Sequence, residues 1–218
     1  MNLTETDHIA ISHGDDGYLV SKGGRFYVNK EYKNAIKYYH LASAAGNVAA
    51  VSNLGYCYLY GRDTEPDIDL GIAYFTIAAH KGDVDAAYKL GNIYSTDKWG
   101  VKDEEKSFYF YRMALSFLFH RDGDEIYVID KYSCDILEDY PSLALAIGKE
   151  FLNGNYFAKD YSSAYYSLIA AKKGYECVIH NGEEYYRDSL EETNKLLENE
   201  KFDMFKNEEE QADSDEDD

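Results

Sequence analysis

One stretch of this chain, Asn47 to Gly82, recurs in step with itself and limits what the chain can fold into. Thirty-six residues on, Leu54-Gly55 becomes Leu90-Gly91, Tyr58 becomes Tyr94, Asp67 becomes Asp103 and Ile77-Ala78 becomes Met113-Ala114. Thirty-six residues back, Gly82 becomes Gly46, Ile77-Ala78 becomes Leu41-Ala42 and Asp67 becomes Glu31. A fixed period of this size is the mark of stacked helix-turn-helix units, each burying its apolar face on its neighbours. Pro occurs only twice in 218 residues, which suits long helical segments.

Four units are readable, at about 17–46, 47–82, 83–118 and 142–174, with an insertion at 119–141. In the first, Gly23-Gly24 makes the opening helix degenerate, while Tyr32, Ala35, Ile36, Tyr39, Ala42 and Ala45 recur at helical spacing. Gly46 and Gly82 are placed to end second helices, and Asn47 and Asp83 follow as caps for the next ones. Small residues fall where paired helices must approach: Gly55 and Gly91 in first helices, Ala78 and Ala114 in second helices. Tyr58 and Tyr94 then fill the adjoining grooves. In the fourth unit Ile147-Gly148 repeats Leu54-Gly55, and Ala170 to Gly174 repeats the helix end at Gly82.

The flanks read differently. Residues 1–16 are polar, lack helical periodicity and are expected to form a lead-in or short cap. The insertion is expected to carry an extra helix over Glu125 to Glu138 and to end at Pro141. Residues 175–206 predict a capping helix, Glu183 to about Phe205, with Tyr186, Leu190, Leu197 and Phe202 on one face. Residues 207–218 hold eight acids and no base, and read as a disordered acidic tail in which Ser214 is a candidate phosphorylation site.

These marks resemble the Sel-one-like repeat, a relative of the tetratricopeptide repeat. Leu90-Gly91-Asn92-Ile93-Tyr94 with Gly100-Val101-Lys102-Asp103 carries the resemblance in the third unit. Leu54-Gly55-Tyr56-Cys57-Tyr58, Tyr60-Gly61 and Ala78-Ala79-His80-Lys81-Gly82 carry it in the second, and Ala170-Ala171-Lys172-Lys173-Gly174 in the fourth. Leu-Gly is missing from the first unit, and Ala-Ala-x-x-Gly from the third. A tetratricopeptide array prefers 34 residues and a closing proline, which this chain lacks. The resemblance implies an all-α fold, an α-solenoid (right-handed superhelix) of about four such units with a C-terminal cap. It implies a scaffold or adaptor holding a protein or peptide in the superhelical groove, and no shared catalytic residue.

Charge narrows the partners. A formal charge of −19, of which −11 remains without the tail, repels phosphate backbones and anionic lipid, so neither nucleic acid nor membrane is expected. No run approaches the roughly 20 apolar residues of a membrane span, and no signal peptide is visible. Cys57, Cys134 and Cys177 are odd in number and far apart, which points to a reducing, cytoplasmic setting. No phosphate loop, Gly-x-Ser-x-Gly or His-Glu-x-x-His occurs, so no catalytic residue and no cofactor is assigned. His8 and His13 lack Cys or carboxylate partners at ligand spacing, and Asp122-Gly123-Asp124-Glu125 lacks the rest of a calcium loop, so no metal is assigned.

The 23 tyrosines carry what functional signal there is. Those in phase, such as Tyr58 and Tyr94, read as packing. Tyr56, Tyr60, Tyr88 and Tyr109 exceed what the core needs and are the candidate partner-binding residues, aromatic anchors in a groove lined by first helices. The expected function is a monomeric, non-enzymatic interaction module for a basic or mixed partner. Two alternatives stay open: an enzyme such as a hydrolase on a helical-repeat frame, marked by a deep pocket with clustered carboxylates or His, and a self-assembling structural protein with an apolar end face.

Overall fold

Helix caps are the first local signal to become structure. In the computed structural model, which describes residues 3–63, 65–119, 128–155 and 157–206, every described regular element is helical. Asn47 accepts from the Ala50 N–H at 2.8 Å and Asp83 from the Ala86 N–H at 2.7 Å, starting first helices. Asp67 and Asp103 accept from the Leu70 and Lys106 N–H groups, starting second helices. Gly46 and Gly82 turn the chain out of a helix at φ of +102° and +91°, a region that costs a side-chain-bearing residue about 1–2 kcal/mol.

The chain forms two compact units, Met1–His120 and Arg121–Asp218. The first holds α1 (Glu5–His13), α2 (Asp16–Val28), α3 (Tyr32–Ala44), α4 (Val48–Leu59), α5 (Ile68–His80), α6 (Val84–Ser95) and α7 (Glu104–Leu118). Helices α2/α3, α4/α5 and α6/α7 pair as hairpins. The second holds α8 (Lys131–Glu138), α9 (Pro141–Asn153), α10 (Tyr161–His180) and α11 (Arg187–Leu197). Here α9 and α10 pair, with α8 and α11 packed on α10.

A single contact recurs inside the hairpins. The backbone of a first-helix glycine lies against a large side chain of the second helix: Gly55 on Phe75, Gly91 on Tyr111, Gly148 on Leu168. A methyl group at Gly55 or Gly148 would stand 2.9 Å from the facing carbon, closer than packed atoms come. Around this crossing Leu54, Leu90, Ile147, Ala78, Ala114 and Ala170 are fully buried, as their repeat positions require. Beside it the in-phase aromatics stack, Tyr58 on Tyr74 at 5.4 Å and Tyr94 on Phe110 at 5.9 Å.

The first hairpin keeps this plan in disguise. Gly23 packs on Tyr39, where a methyl would stand 2.7 Å from the ring, so Gly23 is the glycine the unit looked to be missing. The residue before it, in the place of Leu54 and Leu90, is Lys22. Its ammonium is drawn inward by Asp7 of α1 at 2.5 Å, whose carboxylate is wholly buried. Asp7 also accepts from the Tyr38 hydroxyl at 2.7 Å, the Tyr18 hydroxyl at 3.1 Å and both the N–H and hydroxyl of Thr4 at 2.7 Å. Burial alone would push the Asp7 carboxyl up, but these hydrogen bonds outweigh it and hold it well below the usual carboxylate range. The same pairing holds the Lys22 ammonium above its ordinary value against burial.

Three expectations need correction. The polar lead-in is a helix, because Thr4 and Asp7 make a capping box and Asp7 docks α1 onto α2 and α3. Gly174 does not stop a helix: α10 runs through it to His180. No Asn or Asp follows to cap a new helix, and buried Tyr175 continues the apolar face, its hydroxyl 3.2 Å from that of Ser142. Gly174 instead lets the Glu138 carbonyl and Pro141 approach. The C-terminal helix is broken, with α11 ending at Leu197 and a 3-10 turn at Glu200–Phe202 started by the Asn199 side chain. The extra helix of the insertion is α8; residues 120–127, with the Asp122 loop, and 207–218, with Ser214, lie outside the described residues.

Two predictions follow from these packings. Gly91→Ala forces a methyl into the Tyr111 ring and is expected to cost about 2 kcal/mol, whereas Gly82→Ala meets open space and costs about 1 kcal/mol from its φ alone. Urea denaturation followed by circular dichroism checks the order, and equal midpoints would place the close approach elsewhere. Asp7→Ala leaves the Lys22 charge uncompensated and is expected to lose roughly 3 kcal/mol, while Asp7→Leu/Lys22→Leu together recover most of it. The depressed Asp7 contributes stability above its unfolded pKa of about 4, and the raised Lys22 contributes below about 10. The stability of the wild-type chain relative to the double variant should therefore be flat from about pH 5 to pH 9.5 and fall on either side.

Candidate functional site

Along a first helix the core takes the Leu-Gly row and its neighbours one turn away; residues just off that row are left at the surface. Tyr56 and Tyr60 sit there on α4, one helical turn apart, and their rings stack at 6.4 Å, nearly parallel. Tyr56 leans edge-on to Phe75 at 4.9 Å and is half-buried, so burial first, then Asp85 nearby, raises its hydroxyl pKa. Tyr60 closes α4 and meets Trp99, the only tryptophan of the chain, edge-on at 5.5 Å.

Two cations lie among these rings. Lys89 reaches from α6 across to α4, its ammonium 5.3 Å from the Tyr56 centroid, 5.2 Å from that of Tyr60 and 2.8 Å from the Tyr60 hydroxyl. Arg62, in the turn after α4, lies 5.8 Å from the Tyr60 centroid on one side, and 5.0 and 6.0 Å from Tyr32 and Tyr27 on the other. The strip therefore runs through all three hairpins of the first unit: Tyr27 and Tyr32 from the first, Tyr56, Tyr60 and Arg62 from the second, Lys89 and Trp99 from the third. Each such contact is worth about 0.5–1 kcal/mol at a half-exposed site.

Of the four candidate tyrosines, the structure brings Tyr56 and Tyr60 into this strip. Tyr88, on α6 beside Lys89, is half-buried with its ring 6.4 Å from Tyr111. Tyr109 is not part of it: on the second helix α7 it is 53% exposed and rests edge-on against Phe110. Sequence reading passed over Arg62 and Lys89. The available signal was the pairing of scarce bases with tyrosines, in Tyr60-Gly61-Arg62 and Tyr88-Lys89.

Beside the strip, Trp99 with Pro66, Ile68 and Val101 walls an open recess of about 520 Å³ rimmed by Glu65, Asp67 and Asp69. Cys57 beneath is a buried thiol pushed up to about 11 by burial. Elsewhere, Cys134, Asp135 and Glu138 on α8 could offer ligand atoms within 4.8 Å of one another, but Glu138 already pairs with Lys173 at 2.7 Å. No described helix is long and apolar enough to cross a membrane. Neither cation of the strip makes an ion pair among the described residues, and neither holds the core together. Arg62→Gln and Lys89→Gln are each expected to cost about 1–2 kcal/mol in urea denaturation, less than Asp7→Ala.

Comparison with known proteins agrees with this geometry. Residues 15–47, 48–83 and 84–116 match the Sel1 repeat, one match per hairpin of the first unit. A crystal structure of a Sel1 repeat protein from Oxalobacter formigenes is similar over 73% of this chain and 58% of its own, with 25% identity and a TM-score of 0.51. A second solved structure, c5321, a protective antigen of uropathogenic Escherichia coli strains displaying an SLR fold, covers 80% of this chain and 42% of its own at 17% identity and a TM-score of 0.47. The chain thus spans less than two thirds of the length of either. No curated protein matches it. The first three hairpins match the Sel1 repeat, and the α9–α10 hairpin keeps the glycine crossing beyond the matched residues. Sel1 repeat proteins generally act as protein-interaction scaffolds.

Proposed function

We propose that this Sel1-repeat chain is a non-enzymatic interaction module that binds a protein or peptide segment along the Tyr56–Tyr60–Trp99 strip, with Tyr88 at its margin. The observation that carries this reading is the run of half-buried aromatic rings across three successive hairpins, well beyond what the hairpin crossings use. Aromatic rings offer large contact area at small entropic cost, which is why they anchor interfaces. Binding across repeats also suits a solenoid, since each unit adds one step of contact to an extended partner. The net charge of −19 favours encounter with a partner that is basic or of mixed charge. The three cysteines are odd in number and far apart in the chain, which fits an intracellular setting.

The test is pull-down with the full chain against a Tyr60→Ala/Trp99→Ala variant whose circular dichroism matches the parent. Loss of the specifically recovered proteins with the variant supports binding on the strip. Identical recovery from both would move binding off this face. An interface anchored by two such rings is expected to weaken at least about tenfold when both are cut back, a loss of 1.4 kcal/mol or more.

A further inference from the structure

We infer that Arg62 and Lys89 form a carboxylate seat in the strip, so that the bound segment is a peptide presenting Glu or Asp to it; this rests on the strip being the binding face. The geometry comes first. Both cations adjoin the one Tyr60 ring, Arg62 5.8 Å from its centroid and Lys89 5.2 Å at its hydroxyl edge, so their centres lie within about 11 Å of each other. That span suits two carboxylates on neighbouring side chains of an extended peptide, which repeats about every 6–7 Å on one face.

Charge comes second. The chain carries 41 acids to 22 bases, yet neither cation makes an ion pair among the described residues. The comparison with Lys22 is direct: that half-buried ammonium is matched by Asp7. Lys89 is placed one turn after Asp85 on α6 but reaches the Tyr60 hydroxyl instead. Aromatic faces hold both charges in place without neutralising them.

Hydrogen bonding comes third. The Arg62 Nε is shielded from solvent and has no acceptor, and the polar partner of the guanidinium within its aromatic slot is the uncharged Tyr27 side chain. A planar carboxylate matches a guanidinium fork and fits between stacked rings. A nucleic-acid backbone would need many more phosphate contacts than two cations supply, against the field of the whole chain.

Trp99 is the natural reporter, since it touches Tyr60 and is the sole tryptophan. Three blocked, tryptophan-free peptides of one frame, with central Glu-Leu-Glu, Gln-Leu-Gln or Lys-Leu-Lys, are titrated into the full-length chain while Trp99 emission is followed. The Glu-Leu-Glu peptide is expected to bind about tenfold more tightly than Gln-Leu-Gln, the size of one charge-assisted hydrogen bond, and to weaken with salt. Arg62→Gln and Lys89→Gln should erase that preference; Lys98→Gln, which removes the ammonium lying over Trp99, should keep it. Equal binding of the Glu and Gln peptides, or tighter binding of Lys-Leu-Lys, would overturn the inference and leave the scaffold reading standing. An equal response to inorganic phosphate at matched ionic strength would make this a general anion site and also overturn it. A full-length chain with the eight acids of 207–218 changed to their amides shows whether the tail is the occupant. If the Glu preference appears only in that chain, the seat is filled by its own tail, and the inference of an outside partner falls.

Discussion

The structure depends on a helix backbone lying directly against a side chain of its partner helix. Gly55 under Phe75, Gly91 under Tyr111, Gly148 under Leu168 and Gly23 under Tyr39 are four instances of this contact. A side chain on the first helix would push the axes apart and unseat the small residues packed around the crossing, Ala78 and Ala114 among them. With the crossing fixed, every other row of each helix has a set destination. Tyr58 and Tyr94 stack inward on the ring before the crossing residue, while Tyr56, one position past the glycine, is turned to the half-exposed row. The strip is thus a consequence of core packing: Tyr56 and Tyr60 stand on the row that the Gly55 crossing leaves half-exposed.

The first hairpin shows what happens when that plan meets the end of an array. An inner repeat covers its apolar row with a neighbour, but the first one has only α1, a short helix with Ala10 as its buried apolar residue. Replacing the row's leucine by Lys22 and supplying Asp7 substitutes directional bonds for area. An apolar patch of that size would let α1 slide, whereas five donors converging on one carboxylate admit one register. The network is well satisfied, which is the condition under which a buried charge pair fixes a structure without being a liability.

How much of this was legible in the sequence follows from the range of the interaction involved. The 36-residue period, the Asn and Asp caps and the turn glycines Gly46 and Gly82 are local, and each appears where its residue type predicts. Gly23 was hidden because 16 residues separate it from Tyr39, against 20 from Gly55 to Phe75, so a search at fixed period lands on Leu19. Helix α1 has no apolar stripe; its docking rests on Lys22 and Tyr38, 15 and 31 residues from Asp7. Gly174 carries the same residue type as Gly82 but the opposite role, decided by buried Tyr175 behind it and Glu138 opposite. For the site, the surplus of tyrosines was visible, and its placement on α4 was too. The placement of Arg62 and Lys89 was not, because it arises from contacts between hairpins.

The two charge signals of this chain then act at different ranges. The net charge of −19 is felt by an approaching molecule beyond contact, where it repels acidic surfaces. Its reach is about 8 Å at physiological salt. Inside that distance the local charges decide, and at the strip those are two cations without an ion-pair partner among the described residues, with Asp85 beside Tyr56 and Glu65, Asp67 and Asp69 around the recess. Rings hold a cation through a quadrupole, which fixes its position while leaving its net charge for a ligand to meet. A carboxylate in the same place, as Asp7 is for Lys22, would cancel it. The two cations can therefore offer local positive points on a negative protein. A segment that is basic overall but carries an acid at its anchor satisfies both ranges at once.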